Sequence, residues 1–280
     1  MLSMTCYDLH SHSNVSDGSL SPTNLVKRAV DKGVDVLALT DHDGTEGIAL
    51  AANAAKEMPL DLVSGVEISV SWGSNTVHIL GLRIDPQQLE LQQGLKTIRD
   101  YRVGRAEEIA RRLQKAGIEG ALEGASIYAS KVMLGRLHFA KFLVNAGHAK
   151  DINDVFKRFM VRNKPGYVPG QWASLENAVS WIIQAGGQAV IAHPARYKMT
   201  ATKLRRLLTE FKELGGVGIE VISGRQHPEE IKRLASLAND FELFASCGSD
   251  FHSPDNTWVE LGRLNSMPNS VTPIWFSWRS

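Results

Sequence analysis

Short apolar runs alternate with amphipathic stretches along most of the chain, and this alternation predicts the fold. Val36–Leu39 has the pattern of a buried strand, and each of the last three apolar runs follows a helical segment. Buried strands that alternate with helices indicate parallel β–α–β units. We count about seven strands and therefore expect an α/β protein with a barrel-like sheet. The predicted strands are Cys6–Leu9, Val36–Leu39, Asp61–Val70, Thr76–Ile84, Ala189–Ala192, Gly218–Ile222 and Leu243–Ser246.

Helix boundaries in this frame are predicted from residues that favour helix starts and stops. Ser21 and Pro22 are typical of a helix start, and Gly33 follows the end of the same segment. The predicted helices are Leu25–Lys32, Gly47–Glu57, Leu175–Gln184, Thr202–Leu214 and Glu229–Asn239.

One long region breaks the alternation, because from Gln87 to about Arg162 the pattern predicts helices and no strand. Its segments are Leu95–Gln114, Arg136–Asn145 and Asp151–Phe159. We therefore predict a barrel domain of residues 1–86 and 163–280, with an all-α insertion of residues 87–162.

Composition and charge exclude several classes of protein. Of the 280 residues, 43% are hydrophobic and 22% charged, which is ordinary for a globular protein. The net charge of +1 gives no overall attraction to nucleic acid or membranes. Cys6 and Cys247 lie far apart in sequence, which excludes a disulfide scaffold and favours the cytoplasm. We find no secretion signal and no apolar stretch of the ~20 residues that a membrane span needs.

Histidines and carboxylates follow several of the predicted strands. His10 and His12 come after the first strand, and alternate residues of an extended chain point the same way. The carboxyl ends of the strands meet at one end of an α/β barrel, where such folds build their active sites. The complete set is His10, His12, Asp17, His42, Glu67, His78, His193, Asp250 and His252.

Each of these residues also has a plainer interpretation. A single histidine is usually a hydrogen-bonding residue of the surface or core. Asp17 fits a turn before Gly18, Asp41 fits a helix cap, and Glu67 fits a surface strand position. The joint pattern favours a multinuclear metal site, and ligands without thiolate suit zinc, manganese or iron.

The same residues, in order and spacing, resemble the polymerase-and-histidinol-phosphatase (PHP) superfamily over nearly the whole chain. The resemblance implies a distorted seven-stranded β/α barrel that binds three metal ions and hydrolyses phosphoesters. It further implies three ligand sets: His10, His12, Glu67 and Asp250; Glu67, His78 and His193; and Asp17, His42 and His252.

Segments inside and beside the insertion resemble one branch of this superfamily, the ribonuclease AM type and the related 3′,5′-nucleoside bisphosphate phosphatases. These segments are Ala121–Ala125, Gly135–Ala140, Gly166–Pro169 and Gln171–Trp172. The branch removes the 3′-phosphate of nucleoside 3′,5′-bisphosphates, degrades short 5′-phosphorylated RNA from its 5′ end and trims the 5′ ends of ribosomal RNA. Mn²⁺ is the usual activating ion, and Zn²⁺ or Fe²⁺ are alternatives. The resemblance implies no obligate protein partner.

We expect a water shared by two ions, which Glu67 bridges, to be deprotonated and to act as the nucleophile. His193, Asp250 and His252 are expected to serve catalysis as well as metal binding. Basic groups in and near the insertion, which would cap the active site, are expected to bind the substrate phosphate because guanidinium groups bind phosphate with two hydrogen bonds. These groups are Arg102, Arg105, Arg136, His138, Lys164 and Arg196. For any one of them, a solvated helix face explains the pattern equally well.

Two other functions fit parts of the sequence. A histidinol-phosphatase type of monophosphate phosphatase would share the metal site, but a small monoester needs no second phosphate clamp. A proofreading or binding module of a polymerase would usually have lost a ligand, and the chain has no polymerase-like segment.

Overall fold

The computed structural model describes residues 5–129 and 134–278. Its sheet has seven strands in sequential order, and the fold class predicted from the sequence is confirmed. The strands are Tyr7–Asp8 (β1), Val36–Leu39 (β2), Asp61–Trp72 (β3), Asn75–Leu82 (β4), Gln188–Ile191 (β5), Gly218–Ser223 (β6) and Phe244–Gly248 (β7). The amide of Leu9 donates to the carbonyl of Cys247 at 2.9 Å, so the ends of the sheet meet in a nearly closed barrel.

Strand β4 departs from the parallel pattern that the alternation suggested. It pairs antiparallel with both β3 and β5. Only Gly73 and Ser74 separate β3 from β4, and so short a loop can only reverse the chain. Gly73 has a φ of 56°, which favours glycine. The hairpin pairs His78 with Ser69, and this register sets His78 diagonally opposite Glu67.

The helices follow the prediction to within a few residues in most cases. Pro22–Asp31 begins as predicted, with the Ser21 hydroxyl accepting from the amide of Asn24 at 3.2 Å. The predicted helix Asp151–Phe159 is divided, because a π-helical turn at Phe156–Met160 follows the short α-helix Ile152–Val155. The helices are Pro22–Asp31 (α1), Ile48–Ala55 (α2), Leu89–Lys115 (α3), Ala121–Ser126 (α4), Arg136–Asn145 (α5), Ile152–Val155 (α6), Leu175–Gln184 (α7), Ala201–Glu213 (α8) and Pro228–Asp240 (α9).

Helix α3 begins at Leu89 rather than Leu95 and joins two hydrophobic cores. Leu91 and Leu95, near its start, belong to the main core around the barrel. Ile109 and Leu113, near its end, belong to a separate core formed by α4, α5 and neighbouring residues. The insertion thus has apolar packing of its own, and α3 anchors that packing to the barrel. The domain boundaries given above stay a prediction.

The aromatic C-terminal segment packs against the barrel. The ring of Trp275 stacks on Tyr7 with 4.1 Å between ring centroids. The indole of Trp278 donates to the side-chain carbonyl of Gln188 at 2.7 Å. Within the described ranges, we find no helix that combines the length and the apolar character needed to cross a membrane.

Candidate metal centre and substrate cavity

The first predicted ligand set lies together at the carboxyl ends of β1 and β7. His10 and His12 follow β1, Asp250 follows β7, and Glu67 projects from β3; all four are buried. His10 Nε2 lies 3.2 Å from Glu67 Oε2, and His12 Nε2 lies 3.0 Å from Asp250 Oδ1. Their candidate ligand atoms are all within 4.8 Å of one another, which suits one cation.

The second set is arranged around the other oxygen of the same glutamate. Glu67 Oε1 lies 2.9 Å from His78 Nδ1 and 2.9 Å from His193 Nε2. His42 approaches as well, with its Nδ1 3.0 Å from Glu67 Oε2. Glu67 is therefore placed to bridge two cations, as the resemblance implied.

The third set is more open to solvent. His252 Nε2 lies 3.2 Å from Asp17 Oδ1, and His42 Nε2 lies 3.9 Å from Asp17 Oδ2. His12 Nδ1, also 3.9 Å from Asp17 Oδ1, joins this set as a fourth candidate. The structure thus brings every predicted ligand into one cluster, and it gives His12 and His42 positions beside two sets each.

The chemistry of this cluster fits bound cations. His10 Nε2 and His12 Nε2 lie 3.1 Å apart, and Glu67 Oε2 lies 3.2 Å from each of them, so three potential ligand atoms surround one point. Several buried atoms of candidate ligands also lack a hydrogen-bond partner in the described part of the chain. They are His12 Nδ1, Asp17 Oδ1, His42 Nδ1, Glu67 Oε2 and His193 Nδ1. Buried polar atoms without a partner are costly, so they point to a group that these atoms would hold.

The electrostatics of the cluster point the same way. Burial opposes ionisation of Glu67 and Asp250, but the neighbouring imidazoles outweigh it and hold the pKa of both carboxyls well below the usual range. Burial also opposes protonation of His12, yet the adjoining carboxylates of Asp250 and Glu67 raise its pKa to about 10. The site therefore concentrates negative charge that either protons or divalent cations must balance.

Glu220 orients two of the candidate ligands, and the sequence reading missed it. It is completely buried in β6. Its carboxylate accepts from His10 Nδ1 at 2.9 Å and from the backbone amide of His193 at 2.5 Å. The first bond leaves His10 Nε2 free to bind a cation, the usual arrangement behind metal-bound histidines. A charged residue within the apolar run Gly218–Ile222 was the available signal.

Asp41 has a structural role that differs from the helix cap considered in the sequence analysis. It is buried and caps no helix, since Gly47 precedes α2. Its carboxylate accepts from the amide of Ser13 at 2.8 Å and from the Ser16 hydroxyl at 2.6 Å. These bonds fix the loop that carries His12 and Asp17.

The backbone is strained at three positions of the site. Asp43, His193 and Asp250 have φ values of 50°, 30° and 54°, a region that non-glycine residues rarely adopt. Strained residues of this kind cluster at functional sites, where the surrounding structure holds them in place. The amide of Asp250 donates to the carbonyl of His10 at 2.9 Å, which helps to hold it.

A cavity of about 200 Å³ separates the metal-ligand cluster from the insertion. Asp17, His42 and His78 line one side. The opposite side is basic and aromatic, and its residues include Arg102, Arg105, Arg136, His138 and Trp172. The cavity therefore has candidate cation ligands on one side and cationic side chains on the other.

The basic residues differ in how free they are to bind an anion. Arg102 is paired with Asp43 and stacks on Trp172 at 4.5 Å, so its charge is largely balanced. Arg105 is buried and donates to the carbonyl of Val168 at 2.8 Å. Arg136 forms no hydrogen bond or ion pair with another described residue, and its guanidinium lies over the ring of Phe156, 5.7 Å from the centroid. It is therefore the arginine of this cavity best placed to bind phosphate.

His138 and the two remaining candidates occupy different environments. His138 Nδ1 accepts from the amide of Gly135 at 3.0 Å, so Nε2 carries the proton of the neutral ring and can donate to a substrate. Arg196 pairs with Asp250 beside the metal-ligand cluster rather than in this cavity. Lys164 is exposed and does not line the cavity, so the geometry gives its predicted role no support.

Comparison with known proteins identifies close relatives. Residues 8–224 match the PHP domain family. A 3′,5′-nucleoside bisphosphate phosphatase of Chromobacterium violaceum is 47% identical over 273 residues, which cover 97% of this chain and 96% of that protein. The 5′-3′ exoribonuclease Rnm of Escherichia coli is 46% identical over 274 residues, which cover 97% of this chain and 93% of that protein.

A solved structure agrees with these matches. It is an amidohydrolase from Chromobacterium violaceum with bound sulfate and no metal, 47% identical to this chain. The superposition has a TM-score of 0.91 and covers 96% of this chain and 94% of the other. The expectation of a metal-dependent enzyme that hydrolyses phosphoester bonds is confirmed. On the family match and these full-length relatives, the chain belongs to the PHP domain family.

Proposed function

We propose that this protein hydrolyses the ester at the 3′ oxygen of nucleotides that carry a 5′-phosphate. On nucleoside 3′,5′-bisphosphates it would release orthophosphate. On short RNA with a 5′-phosphate, including the 5′ ends of ribosomal RNA precursors, it would release one 5′-nucleotide at a time. The relatives named as a bisphosphate phosphatase and a 5′-3′ exoribonuclease support both substrates.

The observation that carries this proposal is the cavity with a metal-ligand cluster on one side and basic groups on the other. The 5′-phosphate would bind Arg136 and His138, with Arg105 beside them, while the ester at the 3′ oxygen lies over the metal-ligand cluster. Arg102 would act mainly through Trp172 and Asp43, by keeping the floor of the cavity in place. One pocket then serves both substrates, because the same bond breaks in each.

The candidate ligands and Glu220 would have different roles in the reaction. When bound by the three ligand sets, divalent cations lower the pKa of water and offset charge on the phosphoryl oxygens. Glu220 orients His10 and the His193 backbone. His252 donates from Nδ1 to the carbonyl of Asp250 at 2.9 Å, which leaves its Nε2 facing Asp17. His193, Asp250 and His252 would thus combine ligand and catalytic roles.

Mn²⁺ is the cation we propose, at three ions per chain, because mixed imidazole and carboxylate ligands without thiolate suit it. Zn²⁺ and Fe²⁺ are the alternatives, since the same ligands also suit them. A cytoplasmic location is part of the proposal and rests on Cys6 and Cys247, which are both free thiols.

The test is an assay of purified protein with Mn²⁺ on two kinds of substrate. The first is adenosine 3′,5′-bisphosphate, and the second is a matched pair of oligoribonucleotides with a 5′-phosphate or a 5′-hydroxyl. We expect release of orthophosphate from the first and of 5′-nucleotides from the 5′-phosphorylated RNA. Hydrolysis of histidinol phosphate with no activity on either nucleotide substrate would favour the monophosphate phosphatase instead. Equal rates on the two RNAs would refute the 5′-phosphate clamp.

A further inference from the structure

We propose a second nucleoside site, on the far side of the metal-ligand cluster, for the RNA nucleotide that follows the bond to be cut. This inference rests on the proposed function and says where the second nucleotide of an RNA substrate would bind. The site is a cavity of about 400 Å³, within the usual size range of small-molecule pockets. Its lining includes Arg196, Ser223, Arg225, Gln226, Glu230 and Trp258.

Arg196 connects this cavity to the metal-ligand cluster. Its guanidinium pairs with the Asp250 carboxylate, and its Nη2 approaches the Ser223 hydroxyl at 3.4 Å. The first cavity reaches the same cluster from the side of Asp17 and His78. A dinucleotide whose linking phosphate lies over the cluster would therefore extend one residue into each cavity.

Trp258 is suited to stack on a base. Its side chain is 68% exposed, more than that of any other tryptophan among the described residues. The guanidinium of Arg225 lies over the ring, 5.5 Å from its centroid, which holds the indole in one orientation. An exposed aromatic ring beside a basic group is the arrangement that single-stranded nucleic acid binds by stacking.

The charges of the cavity favour a nucleoside over a free phosphate. The Glu230 carboxylate lies in the lining and would repel an anion, whereas it can accept from a ribose hydroxyl or a base amino group. Gln226 is already engaged through its side-chain carbonyl, which accepts from the amide of Ser223 at 2.6 Å. In the described lining of this cavity, the cationic side chains are Arg196 and Arg225. Arg196 pairs with Asp250 beside the metal-ligand cluster, and Arg225 lies against the indole of Trp258.

The chemistry defines which nucleotide would occupy the cavity. Water adds to phosphorus, the bond from phosphorus to O3′ of the first nucleotide breaks, and O3′ takes up a proton. The phosphate stays on O5′ of the second nucleotide, which leaves as a chain with a new 5′-phosphate. In a nucleoside 3′,5′-bisphosphate, that second nucleotide does not exist, so this substrate cannot use the Trp258 cavity.

The experiment compares kcat/KM for adenosine 3′,5′-bisphosphate and for the 5′-phosphorylated dinucleotide pApA, with Mn²⁺. We expect Trp258→Ala to lower the ratio of dinucleotide to bisphosphate kcat/KM by on the order of tenfold. Trp258→Phe should keep most of the ratio, because phenylalanine also stacks. The matched control is Leu50→Ala on α2, a residue 57% exposed and outside both cavity linings, which should leave the ratio as it is.

A substrate with an abasic second residue completes the test. The unaltered enzyme should lose a similar factor on it, and Trp258→Ala should add no further loss. An unchanged ratio in Trp258→Ala, or an equal loss on both substrates with full Mn²⁺ content, would overturn the second site while leaving the proposed function intact. Hydrolysis of neither substrate by the unaltered enzyme would overturn the proposed function and this inference with it.

Discussion

Replacing Glu220 with glutamine should weaken metal binding although Glu220 is not itself a predicted ligand. The carboxylate accepts two hydrogen bonds, from His10 Nδ1 and from the His193 amide, and it is fully buried. Each hydrogen bond to a charged group contributes about 1.5–3 kcal/mol. A glutamine has the same shape, but its NH₂ group would face one of the two donors, so about one such bond is lost.

That loss corresponds to about 10–100-fold in metal affinity, at ~1.4 kcal/mol per factor of ten. We would titrate Mn²⁺ into Glu220→Gln by calorimetry and measure kcat/KM on adenosine 3′,5′-bisphosphate alongside. Glu242→Gln is the control, since that side chain is 86% exposed and pairs only with Lys212 in the described structure. Affinity for Mn²⁺ equal to that of the unaltered protein, in a folded Glu220→Gln, would refute the orienting role.

Four further changes test other parts of the structure. Asp17→Asn should lower metal content and hydrolysis together, by about 10-fold or more in kcat/KM, and full occupancy by elemental analysis would contradict a third ion. Arg136→Ala should lower the ratio of kcat/KM for 5′-phosphorylated RNA to kcat/KM for 5′-hydroxyl RNA by about 10–100-fold, with metal content unchanged. An unaltered ratio would show that Arg136 does not bind the 5′-phosphate. Gly248→Ala should destabilise the fold by about 1–3 kcal/mol in urea unfolding, because the added carbon would lie 2.2 Å from His10 Cβ. Gly104→Ala, which meets nothing within 4 Å on α3, should instead stabilise it by about 0.5–1 kcal/mol.

The barrel and the cluster of candidate ligands could be read from the sequence because their signals are local. Apolar runs mark the strands, and residues just after a strand lie at a defined end of a barrel whatever the remaining contacts are. His10 and His12 are examples, since their separation by one residue already places them on one face. The antiparallel hairpin of β3 and β4 was not predicted, although the short connection between the predicted strands Asp61–Val70 and Thr76–Ile84 favours one.

The basic side of the cavity could not be read in the same way. Arg102, Arg105 and Arg136 are equivalent cations in the sequence, but the fold gives each a different partner. Whether a guanidinium is balanced by Asp43 or left facing a cavity depends on contacts between residues far apart in the chain. Glu220 illustrates the same limit, because the two groups that donate to its carboxylate, His10 Nδ1 and the His193 amide, follow two different strands.

Helix α3 contributes residues to both hydrophobic cores, and this limits the length of the substrate that the cavity can bind. Its first turns are packed with the barrel that carries the metal-ligand cluster, and its last turns are packed with the insertion that carries Arg136 and His138. The two sides of the cavity cannot separate or approach without breaking apolar contacts at one end of this helix. The helix therefore fixes the distance between the basic side of the cavity and the metal-ligand cluster. That distance would select substrates in which the bond to be cut lies one nucleotide from the 5′-phosphate.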